Sequence, residues 1–195
     1  LSSSTVRLQP NDVSPTLIAK VDLPIDQANR AMLLDDRLYI AGRQDSRETA
    51  LVVVDTSFFE TVVRHGAVND SPITPSVLGM LTYDDSATSM YMTTQDRGPG
   101  LVIEAPYVFM TNGENLRIFE ILSSSMPTLI ATINFSGVRL TGALAQGPAL
   151  FINSISTASE YTSTLWALDI SSLYDGDPST VPTTSDITGN HTTAY

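Results

Sequence analysis

The 195-residue chain has no cysteine. That excludes disulfides, thiolate metal centres and cysteine nucleophiles together. It has one lysine, Lys20, against nine arginines, and two histidines, His65 and His191. A two-histidine metal site would need the C-terminal tail, which carries His191, to fold back on the body. There is no Gly-x-Ser-x-Gly elbow and no Gly-x-x-x-x-Gly-Lys phosphate loop, and Gly98-Pro99-Gly100 reads as a hinge. No run of 18 apolar residues occurs, so membrane insertion is not expected. Leu1-Ser2-Ser3-Ser4 has neither a basic stretch nor an apolar core, so no signal peptide is expected within this numbering.

The net charge is −11. Such a surface repels phosphate, which argues against nucleic acid and against docking on anionic lipid. A Lys-poor, carboxylate-rich surface also suits a solvated extracellular setting. Three Asn-x-Ser/Thr sequons begin at Asn69, Asn134 and Asn190 and are candidate glycosylation sites if the chain is exported. Asn69 and Asn190 fall in expected loops, and Asn134 ends an expected strand.

What is present is a repeat. Pro15-Thr16-Leu17-Ile18-Ala19 returns as Pro127-Thr128-Leu129-Ile130-Ala131, 112 residues later. At the same offset Leu38-Tyr39-Ile40 aligns with Leu150-Phe151-Ile152, and Leu51-Val52-Val53-Val54-Asp55 aligns with Leu165-Trp166-Ala167-Leu168-Asp169 after a two-residue slip. Ordered matches of this kind read as a structural repeat. Nearly every periodic segment has period two or is a short β-branched run. The best helix signal, 25–34, is short and runs into a strand pattern.

The pattern predicts an all-β fold of four-stranded units, each about 37–40 residues long, which is the size of a propeller blade. The expected repeat-built domain is 1–175, with units at about 15–67, 101–136 and 137–172 and a degenerate one at 77–100. In that degenerate unit, Asp84-Asp85 is expected to turn a hairpin. Residues 176–195, rich in Ser, Thr, Pro and Gly, read as a tail or linker. A β-sandwich is the alternative architecture. Asn112-Gly113 is expected to supply the positive φ of a tight hairpin.

Leu-Val-Val-Val-Asp at 51–55, Leu-Arg-Ile-Phe-Glu-Ile at 116–121 and Leu-Trp-Ala-Leu-Asp-Ile-Ser at 165–171 resemble the LVIVD repeat. The best match is Tyr107-Val108-Phe109-Met110, then 116–121, then Met126-Pro127-Thr128-Leu129-Ile130-Ala131. Ala131 stands where that family often has Gly. The resemblance covers about 15–67 and 101–172 and fails at 84–100. It implies a β-propeller of a cell surface, usually without assigned catalytic activity.

Carboxylates are the commonest candidate ligands. Asp175 and Asp177, with a glycine between them, are the expected pair if the chain binds a metal, and Ca²⁺ is the cation they would suit. Asp35-Asp36 reads as a turn, because Asp side chains bond nearby backbone N–H groups. Asp55, Glu120 and Asp169 end equivalent strands, which predicts a building role. Trp166 is expected in the core. No catalytic residue and no cofactor is assigned. The leading expectation is a non-catalytic extracellular or cell-surface module that binds other proteins or copies of itself. The alternative is a carbohydrate-binding or hydrolytic propeller domain that uses channel carboxylates, with or without Ca²⁺.

Overall fold

A computed structural model describes residues 19–45, 48–58, 73–85, 99–122, 126–157, 162–175 and 191–194. The fold is all-β, with three antiparallel four-stranded sheets. The first holds β1 (Gln27–Leu34), β2 (Arg37–Arg43), β3 (Glu48–Asp55) and β4 (Val77–Asp84). The second holds β5 (Gly100–Glu104), β6 (Tyr107–Asn112), β7 (Asn115–Glu120) and β8 (Thr128–Asn134). The third holds β9 (Val138–Gln146), β10 (Ala149–Ser156), β11 (Ser163–Asp169) and β12 (His191–Ala194). Each is a meander in which sequence neighbours pair. β5 packs against β1 on one side and β9 on the other, so the first strands of the sheets sit together. Among the described residues the sheets close neither a barrel nor a ring.

The elements follow from side-chain pattern. The second and third strands of the first two sheets are buried on both faces, and their residues are apolar at successive positions. β11 alternates between covered and exposed positions along its length, and β1, β4 and β8 do so over their second halves. Two apolar layers result. Tyr39, Leu51 and Val53 of the first sheet meet Leu101, Val108, Met110 and Phe119 of the second. Phe109, Leu116 and Ile118, on the opposite face of the second sheet, meet Leu150, Ile152 and Leu168 of the third. The far side of the first sheet, with Ile40, Val52 and Val54, is covered by Val21, Leu23 and Ile25.

The matched strings occupy matched places. Leu38–Ile40 lies on the second strand of its sheet, as Leu150–Ile152 does, and Leu51–Asp55 lies on the third strand, as Leu165–Asp169 does. In each sheet the residue beyond the third strand donates its N–H to the turn between the first two strands. Thr56 reaches Asp36 O at 2.8 Å, Ile121 reaches Pro106 O at 2.7 Å and Ile170 reaches Pro148 O at 2.7 Å.

Several expectations are corrected. Val77–Asp84 is no degenerate unit, because it pairs with β3 as the fourth strand of the first sheet. The run Leu51–Val54 is apolar on both faces, and such a strand needs a hydrogen-bonding neighbour on each edge. Asp84-Asp85 therefore turns no hairpin between strands of a second unit. Asp84 ends β4, and Asp85 is buried beyond it. The 25–34 segment is strand from Gln27 onward. The end of the tail returns to the body, where His191–Ala194 pairs with β11. Of the first pentamer only Ala19 is described, in a single parallel bridge to Ile73, whereas Thr128–Ala131 of the second lies in β8. The end of the first expected unit, 61–67, lies outside the described residues.

Candidate functional site

Two places between the first and second sheets concentrate polar groups, at opposite ends of the strands. The first is a buried junction. Arg117 on β7 and Asp85 just beyond β4 form an ion pair across the interface, with side-chain exposures of 6% and 1%. Arg117 Nη2 donates to Asp85 Oδ1, and Nη1 donates to Oδ2 at 3.2 Å. This two-point geometry is the strong form of a guanidinium–carboxylate contact. Asn112 Nδ2 donates to Oδ2 at 2.8 Å, Asn115 Nδ2 donates to Oδ1 at 3.3 Å, and Thr49 Oγ1 also donates to Oδ2. Both carboxylate oxygens are thus occupied. The guanidinium also lies over the Tyr83 ring, 4.7 Å from its centroid, and Tyr83 meets Phe119 edge-on at 5.7 Å. Burial beside Arg117 raises the Tyr83 pKa, since desolvation outweighs the attraction of the cation for a phenolate. The junction is saturated by its own chain, so its chemistry is that of a clamp between sheets.

The second place is a cleft of about 420 Å³ lined by Leu34, Asp35, Asp36, Arg37, Tyr39, Asp55, Ser57, Leu78 and Ile121. The β1–β2 turn supplies Asp35 at φ 49° and Asp36. Asp55, at the end of β3, accepts the Ser57 N–H at 2.9 Å, and this bond, joined by one from the Ser57 side chain, lowers its pKa. Asp169 repeats the arrangement at the end of β11. It accepts the Ser171 N–H at 2.9 Å, and its pKa is lowered by the Ser171 side chain first and the backbone bond second. These two acids secure the chain as it leaves the third strand. Among the described residues no three His, Cys, Asp or Glu side chains converge as metal ligands.

The expected site residues scatter. Asp175 is exposed just past a short 3-10 helix, Ser171–Tyr174. Asp177 lies outside the described residues, as do Asn69, Asn190 and His65. Asn134 is exposed at the end of β8, and its Nδ2, the atom a glycan would take, donates to Asn115 Oδ1 at 3.0 Å. Trp166 is half-buried, edge-on to Phe135 at 5.3 Å, with Nε1 donating to Ser154 Oγ at 2.7 Å. Gly113 has φ 55°, as a tight turn requires, but Asn112 is no turn residue, since it ends β6 inside the buried junction. Asp85 and Arg117 were not legible as partners. The available signal was a charge at 117 within an otherwise apolar third strand.

No family model matches the chain, and no curated protein is significantly similar to it. Among the described residues no helix is long and apolar enough to cross a membrane.

Proposed function

We propose that this chain is a non-catalytic extracellular or cell-surface interaction module, an open propeller-like array related to the LVIVD repeat. Three sheets of one plan, with their first strands together, support the architecture. The observation behind the function is where apolar side chains meet solvent. Val77 and Leu78 on β4, Leu129 on β8, and Leu144 and Leu165 in the third sheet are all at least 36% exposed. They sit on outer strands or on an outer face. β4 and β8 are also the last strands of their sheets among the described residues, and such edges accept an added strand. A partner protein gains backbone hydrogen bonds at the edge and apolar contact beside it. The acidic surface selects against nucleic acid and anionic membranes.

Affinity capture with the purified chain, coupled to sizing, tests this. The expected result is a stoichiometric complex with another protein or with a second copy. A strictly monomeric chain that binds no protein and turns over a substrate would overturn it.

The cleft bearing Asp35, Asp36 and Asp55 supports a second reading, a glycan-binding or hydrolytic domain; its acids do not converge as a metal site, so Ca²⁺ enters only through the test. Calcium and oligosaccharide titrations by calorimetry decide it. Heat of binding that Asp55→Asn abolishes supports it, and no heat with either titrant removes it.

A further inference from the structure

The outer face of the third sheet repeats, position by position, the faces that the other two sheets bury. Strand register fixes the equivalence. Tyr39, Phe109 and Phe151 are each third after the turn between the first and second strands of their sheets. Their partners on the first strands are Met32, Val102 and Leu144. Third-strand residues facing the same way are Leu51 in the first sheet, Leu116 in the second and Leu165 in the third. Tyr39 and Leu51 pack into the second sheet, and Phe109 and Leu116 pack into the third. Leu51 and Leu116 are 0% exposed, whereas Leu165 is 42% exposed and Leu144 is 62% exposed. Ala167, beside Phe151, is exposed as well. The third sheet thus carries an apolar face built to be covered, and among the described residues it is open.

We infer that this face pairs with the same face of a second copy in a two-fold dimer. The inference rests on the interaction-module reading and names its partner. Charge selects the occupant. Arg139 and Asp169 lie on this face at opposite ends of the strands, by their pairing with Ile155 and Ala149. Arg139 is on β9 and Asp169 on β11, so a two-fold axis lying in the interface and perpendicular to the line joining them, oblique to the strands, sets Arg139 of each copy over Asp169 of the other. The face complements itself, as an isologous contact must. Size also fits a weak dimer. Strands ~4.8 Å apart and ~25 Å long give a face of roughly 400 Å² per copy. The paired total of roughly 800 Å² is below that of stable specific interfaces and in the range of weak, transient ones. A head-to-tail copy is disfavoured, because the matching face of the first sheet is already covered by Val21, Leu23 and Ile25.

Sedimentation equilibrium of the full chain, from low micromolar to about 1 mM, tests the inference. The expected result is a reversible monomer–dimer equilibrium with no larger species. Leu144→Asp and Leu165→Asp each raise the dissociation constant about tenfold or more. Arg139→Glu weakens the dimer too, because it faces Asp169 with a like charge. Leu33→Asp, an equally exposed leucine on β1, leaves the constant unchanged, and circular dichroism confirms that each variant folds. A chain that stays monomeric throughout overturns the inference. So does association that Leu144→Asp and Leu165→Asp leave intact, and so does open-ended growth into longer oligomers. A monomer that still captures a different protein sinks the dimer and spares the interaction module. A monomer that binds no protein and turns over a glycan sinks both.

Discussion

The two interfaces between sheets solve one packing problem with different chemistry. Val52, Arg117 and Trp166 occupy the same place in their sheets, opposite Ile40, Met110 and Ile152. Each points back toward what precedes its sheet. Between the second and third sheets the residue is Trp166, which lies edge-on to Phe135 in an apolar layer. Between the first and second it is Arg117, which meets Asp85 inside a cluster of Asn112, Asn115 and Thr49. The aromatic fills volume and tolerates small shifts of one sheet on the other. The guanidinium fixes both sheets by directional bonds and tolerates none. A repeat can therefore keep its backbone plan while its interfaces diverge, because the plan is set by strand pairing and the interface by single residues.

Breaking the polar junction should have the largest effect. Arg117→Met strands the Asp85 carboxylate in a dry interface, and the cost expected for an uncompensated buried charge is about 3–5 kcal/mol. Urea denaturation checks it. The corresponding change in the apolar interface, Trp166→Met, leaves no charge behind and should cost clearly less.

Equivalent leucines sharpen the comparison next. Leu116→Ala empties a fully buried site and should cost about 2–5 kcal/mol. Leu165→Ala, at the same register in the third sheet, should change stability by about 0.5 kcal/mol or less under conditions where the chain is monomeric. Equal losses would mean that the third sheet's outer face is covered.

Gly42 gives a smaller, local test. A Cβ there would lie 2.3 Å from Gln27 O, where β1 and β2 pair beside a bulge. Gly42→Ala should cost about 1–3 kcal/mol through backbone displacement, read by thermal melting.

The smallest effect is in acid. The Asp55 and Asp169 pKa values are lowered from 3.8 by their Ser57 and Ser171 bonds. That stabilisation is complete above 3.8 and is lost as pH falls through the lower folded values. Both groups are solvated, so the effect is slight. Asp55→Asn combined with Asp169→Asn should flatten the acid limb of the melting temperature below pH 3.8 by slightly lowering the neutral value toward the acid one.

Most strands were legible because burial on one or both faces writes itself as alternation or as continuous apolar runs. The matched strings at 38–40 and 150–152, and at 51–55 and 165–169, also announced equivalent strands. The division between units was less legible. Val77–Asp84 looks like any first strand, and only its hydrogen bonds to β3 assign it to the first sheet. The junction was least legible. Asp85 sits in an Asp pair indistinguishable from the Asp35-Asp36 turn, and its partner lies 32 residues along the chain. Arg117 demands an acid, but sequence does not say which of many acids the fold delivers.

A double-mutant cycle on Asp85 and Arg117 is the most direct test of a clamp joining the first two sheets. Asp85→Ala, Arg117→Ala and the pair, compared by denaturation, should show a coupling of about 2 kcal/mol or more, with the double variant scarcely worse than either single one. Additive losses would contradict the account, since they would place the two side chains in separate environments.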